Sequence, residues 1–217
     1  GALTGTPYAG NGYTTYLYGA LLSMLYTISA CVPWHTVLML TAVFISLAAM
    51  IRSITLSCTQ NQISQWVGFA VFGALYIGVL LQYVVTQQYT TVAAFAAAAG
   101  SGLLIVQQQT HKPDKQTGTV IAAVLLLLFS FGLRTDSFWV SIPLLGVSSL
   151  LQAMEQHSWK KIMPALFMLV GAVVITLVDQ TLYWVNEPNW DAFRVFYDLR
   201  CQLLDYNNTD FMQRIAT

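Results

Sequence analysis

Charge is what this sequence has least of. Only 8% of its 217 residues are charged, while 56% are hydrophobic. A water-soluble domain carries about 25% charged residues. So little polar side chain cannot cover a water-facing surface, and lipid is the solvent the composition requires. Nine bases balance nine acids. No basic stripe is present, which argues against a nucleic-acid partner. Cysteine is scarce too. Cys31, Cys58 and Cys201 are far apart and match no metal-ligand spacing, so no metal site is expected. Cys58 is expected on the opposite side of the membrane from the other two, which leaves a Cys31–Cys201 disulfide compatible with the topology. HExxH, GxSxG, a P-loop and the dinucleotide-binding glycine pattern are all missing. So is a secretory signal pattern. The chain opens at Gly1 in loop-like composition, as expected of a processed product or a fragment lacking an upstream helix.

What is present is a series of apolar runs. Residues 1–15 are rich in Gly and Thr and read as loop. Residues 16–30 are apolar but short of the roughly 20 residues a span needs. Tyr16, Tyr18 and Tyr26 suit an interface, where each hydroxyl stays wet. Pro33 and Trp34 restart the chain. Spans are then expected over 34–51 (closed by Arg52), 64–85, 90–107, 118–133, 137–152 and 162–184. Residues 53–63 read as a polar turn. The AAFAAAAGSG segment of the third span puts small residues at helical spacing, which allows close helix approach. The fifth span contains Pro143, where a kink is tolerable if neighbouring groups satisfy the freed carbonyl. The expected fold is all-α: a polytopic transmembrane bundle of about six spans over 34–184. An outer loop and interfacial helix (1–33) precede it, and an extracytoplasmic amphipathic tail (185–217) follows. If the spans alternate, Arg52, Lys112, Lys115, Lys160 and Lys161 share one side, cytoplasmic by the positive-inside rule. The N-terminal loop, the Arg134–Asp136 turn and the C-terminal tail then share the outer face.

The candidate chemistry gathers on that outer face. Arg134 ends an apolar run near the headgroups, where it serves as a phosphate clamp or as an ordinary interfacial anchor. Asp136 lies two residues on, a spacing that does not face Arg134 on a helix. Asp179 is a carboxylate inside the sixth span, a functional candidate by default, with Arg134 or Arg200 as its expected partner. In the tail, Asn189 reads as an N-cap. Asp191, Asp198 and Asp205 form a solvated face, with Arg194 paired to Asp198. Arg200 falls with Phe193, Phe196 and Leu204 on the apolar face. There it either snorkels to the headgroups or takes a carboxylate, a carbonyl or a lipid phosphate as partner. His35 reads as a hydrogen-bonded edge residue, and His111 and His157 as solvated.

Several features occur in a particular order. Thr4-Gly5-Thr6-Pro7 precedes an apolar helix ending in Leu25-Tyr26, followed by Val32-Pro33-Trp34. Later come Arg134, Ser137 and Pro143, then Glu187-Pro188-Asn189-Trp190, Phe193, Arg200 and Asp205-Tyr206. In this order the chain resembles a family of uncharacterised polytopic membrane proteins of Gram-positive bacteria, which look like GT-C glycosyltransferases. The resemblance implies a plasma-membrane enzyme, or a fragment of one, that takes a sugar from a polyprenyl-phosphate donor on the outer face. In that class an acid in the first outer loop serves as base or metal ligand. Here that region would lie upstream of Gly1, so the catalytic residue is unknown. Tyr8 and Gly10 stand where an acid and a histidine are expected. Arg134 and Arg200 would hold the lipid-linked phosphate and Asp179 would orient one of them. The alternative is a non-catalytic membrane protein, a transport or assembly subunit whose partners are membrane lipids.

Overall fold

Inside a bilayer a peptide group finds no water, so a spanning segment must satisfy its own N–H and C=O groups by forming a helix. The computed structural model follows that rule. It describes residues 9–10, 14–86, 88–109, 117–155 and 162–186, with positions 157, 189, 192–193, 195–196 and 199 beyond them. Among the described residues there are seven helices and no strand. They are α1 (Tyr16–Ile28), α2 (Trp34–Gln60), α3 (Gln65–Val85), α4 (Tyr89–Gln109), α5 (Thr117–Leu133), α6 (Thr135–Glu155) and α7 (Met163–Asn186). Five of these, α2, α3, α4, α6 and α7, are long and apolar enough to cross a membrane. The fifth helix has 17 residues, about 25 Å of rise, a little under the roughly 30 Å of a hydrocarbon core. The fold is the all-α bundle of a multi-pass membrane protein, and α2 to α7 occupy the six expected spans.

Composition decides which helix is central. The fourth helix is lined with Ala93, Ala96, Ala97, Ala99 and Gly100, and it packs on α5, α2 and α6 at once. Side chains this small bring backbones together, and dispersion over many close contacts drives association where lipid removes the hydrophobic force. At Gly100 the approach is closest. A Cβ there would lie 2.8 Å from the carbonyl oxygen of Ala123 and 2.8 Å from Leu127 Cγ. Leu103, Leu104, Leu126, Leu127, Phe131, Phe138 and Leu145 fill the space beside this seam. A second apolar cluster, Tyr18, Met39, Ala42, Val43, Val92, Ala93 and Leu133, sits at the end where α1 docks. By contrast α3 and α7 are peripheral. Trp66, Val71, Ile77, Phe167, Val170 and Leu177 are all exposed, a surface suited to acyl chains and unsuited to water. The third helix carries a π-helical segment, Tyr76–Leu80.

Two expectations change. Residues 53–60 are not a turn, because α2 runs on to Gln60. Its polar side chains bond back to its own carbonyls: Ser53 Oγ to Ala49 O at 2.9 Å, Thr55 Oγ1 to Ile51 O at 2.8 Å and Thr59 Oγ1 to Thr55 O at 2.9 Å. A hydroxyl satisfied in this way is tolerated inside a helix. Nor is Tyr18 wet. It is buried in the second cluster, and its hydroxyl meets His35 Nδ1 at 3.1 Å. Pro143 lies within α6 without ending it. In the tail, the Asn189 carbonyl accepts from Phe193 N–H at 3.0 Å, the first bond expected of a helix capped at Asn189. Arg194, Asp191, Asp198, Arg200, Cys201 and Asp205 lie outside the described residues.

Candidate functional site at one end of the bundle

The junction between α5 and α6 builds the first part of the site. Arg134 N–H closes the last turn of α5 on Ser130 O at 2.8 Å, and α6 begins at Thr135. Arg134 therefore stands between two helices, in neither of them. That position frees it from the helical spacing that separates residues two apart. Its Nε donates to Asp136 Oδ2 at 3.2 Å and its Nη1 to Thr90 Oγ1 at 2.9 Å. Its guanidinium carbon lies 5.8 Å from the centre of the Tyr89 ring, within cation–π range. Three partners from two chain segments thus fix a guanidinium whose side chain is still 37% exposed. The expectation that Arg134 and Asp136 do not meet is overturned, and the reason is this break in the helix. An exposed pair of this kind contributes about 0–1 kcal/mol to stability. Its effect is on orientation.

The chain segment entering α1 crosses the same end. Thr15 donates twice to Gly132 O, from its N–H at 3.0 Å and from Oγ1 at 3.0 Å, while Oγ1 accepts from Tyr18 N–H at 3.3 Å as the N-cap of α1. Tyr183 Oη donates to Thr14 O at 3.0 Å, and the Tyr183 ring stands edge-on to Tyr16 with centroids 5.1 Å apart. Gly19 sits directly against the Ala9 backbone, and only a residue without a Cβ fits there. Burial pushes the Tyr18 hydroxyl well above the ordinary tyrosine value, and the Tyr26 phenol adds to the shift. Tyr18 therefore remains a neutral phenol that bonds His35.

Asp179 is drawn into this arrangement in a way the sequence did not suggest. Its side chain is buried, and Oδ1 accepts from Leu17 N–H at 3.1 Å, with the Tyr16 backbone as a second donor. These are first-turn amides of α1, which have no partner within their own helix. A carboxylate there also meets the positive end of the helix dipole. Asp179 thus caps α1 from a different helix. It does not pair with Arg134, which uses Asp136 instead. Arg134 and Asp179 stand at the same end and are joined through the 14–18 segment, which bonds Gly132 on one side and Asp179 on the other. Arg200, the other expected partner of Asp179, lies outside the described residues.

Thr90, Tyr89 and Thr15 are contributors that no pattern in the sequence marks out. Each is an ordinary Thr or Tyr in a short polar run, and only the packing of α4 beside the α5–α6 junction and of α1 across it assigns them partners. Among the described residues no group of three or more His, Cys, Asp and Glu side chains comes together to hold a metal ion. Chemically, the described residues at this end offer an oriented, partly exposed guanidinium that already holds one carboxylate, while a second carboxylate caps the start of α1. Compared with known proteins, the chain matches no family, no curated protein and no solved structure.

Proposed function

We propose that this multi-pass protein lies in the plasma membrane with its C-terminus outside. There it binds a polyprenyl-phosphate-linked sugar as a GT-C-like glycosyltransferase, or part of one, would. The observation that carries this reading is Arg134, held by Thr90, Asp136 and Tyr89 at one end of the bundle yet still open to the surroundings. A guanidinium braced in this way meets a phosphate with little loss of conformational freedom. In the reaction, an acceptor hydroxyl oxygen bonds to the anomeric carbon while the bond from that carbon to the phosphate oxygen breaks. The electron pair leaves with the polyprenyl phosphate and the hydroxyl proton passes to a general base. Arg134 and Arg200 stabilise the charge on the departing phosphate. Asp179 holds α1 in place and so acts on position only. The base is assigned to no residue of this chain.

The test uses the full chain in lipid nanodiscs with a polyprenyl-phosphate sugar. Loss of a charge-assisted contact of about 1.5–3 kcal/mol predicts that Arg134→Ala weakens binding roughly ten- to hundredfold. Unchanged donor binding and unchanged cell-surface glycans in both Arg134→Ala and Arg200→Ala would overturn the proposal. One observation favours the alternative of a non-catalytic assembly subunit. Both described carboxylates at this end are committed, Asp136 to Arg134 and Asp179 to α1. Donor binding without any sugar transfer would select that alternative.

A further inference from the structure

At the end of α5 opposite Arg134, the other described arginine reaches across from α2. Thr119 and Leu133 are 14 residues apart on α5, about 21 Å of helix rise, so the two arginines are well separated. Arg52 lies on an exposed face of α2, eight residues before that helix ends at Gln60. Its Nη2 donates across to Thr119 Oγ1 on α5 at 3.1 Å. That bond spans the head of an open groove of about 580 Å³ between α2 and α5, floored by α4.

The rest of the groove is apolar. Ile45, Ala48, Ala49 and Arg52 follow i, i+3, i+4, i+7 spacing on one face of α2, and Ala122 lies one turn beyond Thr119 on the facing wall. From Arg52 to Ile45 the slot runs about 10 Å toward the middle of the bundle. An arginine has five N–H donors. Thr119 takes one, and among the described residues the other four have no acceptor. Among the described residues no carboxylate lines the groove. The arrangement is a cation with spare donors at the mouth of a slot shaped for hydrocarbon.

We propose that this groove holds one anionic glycerophospholipid, its phosphate on the Arg52 guanidinium and an acyl chain along Ile45, Ala48, Ala49 and Ala122. Charge complementarity selects the occupant. A zwitterionic lipid brings a competing cation, and a partner helix would have to bury an acid against Arg52 to fit the same space. A guanidinium braced by Thr119 presents its remaining donors to a phosphate in a fixed orientation. The Ala48–Ala49 step leaves room that a larger side chain would close.

The full chain is reconstituted in nanodiscs of phosphatidylcholine with and without phosphatidylglycerol, released into mild detergent, and weighed with its retained lipid by native mass spectrometry. One phosphatidylglycerol per wild-type chain is expected, with about tenfold lower occupancy in Arg52→Ala. Ala122→Phe leaves the charge in place and fills the slot, and it is expected to lose the lipid as fully. Ala48→Phe, on the exposed wall, gives the same reading if the Ala122 variant does not fold. Retention by both phenylalanine variants at the wild-type level would overturn the proposal, because Arg52 would then be acting as a headgroup anchor with no seat for the chain. Equal retention of phosphatidylcholine, or undiminished retention in Arg52→Ala, would overturn it as well.

Discussion

Replacing Asp179 separates two roles for a buried carboxylate: a cap for a helix and a partner for a cation. Its side chain accepts from Leu17 N–H at 3.1 Å and from the Tyr16 backbone. Thr15 Oγ1 already serves Tyr18 N–H, so no other described side chain stands ready to take over these amides. Losing a cap costs about 0.5–2 kcal/mol, and a buried donor left without an acceptor costs about 1–3 kcal/mol. Asp179→Ala therefore costs about 2 kcal/mol locally, roughly a 30-fold rise in opening of the first turn of α1 at 1.4 kcal/mol per tenfold. Asp179→Asn keeps an acceptor oxygen and loses the charge that meets the helix dipole, about 0.5–1 kcal/mol, or roughly a two- to fivefold rise. The effect stays local because Thr15 still bonds Gly132 and Tyr183 still bonds Thr14. Amide hydrogen exchange in nanodiscs, followed by mass spectrometry on a peptide covering residues 14–25, reads it directly. Unchanged exchange in Asp179→Ala would refute the capping role. Equal damage from Asn and Ala would point instead to an ion pair, since such a pair depends on the charge that both substitutions remove.

Gly100→Ala places a methyl group 2.8 Å from the fixed carbonyl of Ala123. Overpacking of this kind costs about 1–3 kcal/mol, and a lower thermal midpoint in detergent is expected. Gly171→Ala meets nothing within 4 Å and should be neutral or slightly stabilising, so equal midpoints for the two variants would refute the close α4–α5 seam. In a Cys201→Ser background, exposed Cys31 is expected to react with a membrane-impermeant maleimide on intact cells, whereas Cys58, buried against Gly68, is not. Labelling of Cys31 only after permeabilisation would invert the proposed orientation.

Composition alone determined that this chain is helical and lipid-facing. With few charges and long apolar runs, the peptide groups can be satisfied only within each segment, and the helices α2 to α7 follow from that constraint. Alanine and glycine spacing in residues 93–100 also marked in advance the helix that others approach most closely. Alternation of the spans predicted that the N-terminal loop, the Arg134–Asp136 turn and the C-terminal tail share one end; the bonds from Thr15 to Gly132 join the first two. The partners of these groups were decided by tertiary structure. Arg134 reaches Asp136 because the helix breaks at that residue, a one-residue event that periodicity does not resolve. Asp179 meets backbone amides 162 residues away, and backbone donors are the same in every sequence, so no residue pattern announces them. Likewise Arg52, which reads as the closing charge of a span, lies within a longer helix and bonds Thr119 across a groove that exists only once α2 and α5 are docked. Hydropathy is local and was legible in the sequence. Each ionisable group's partner depends on which helix packs beside it, and that was settled only in three dimensions.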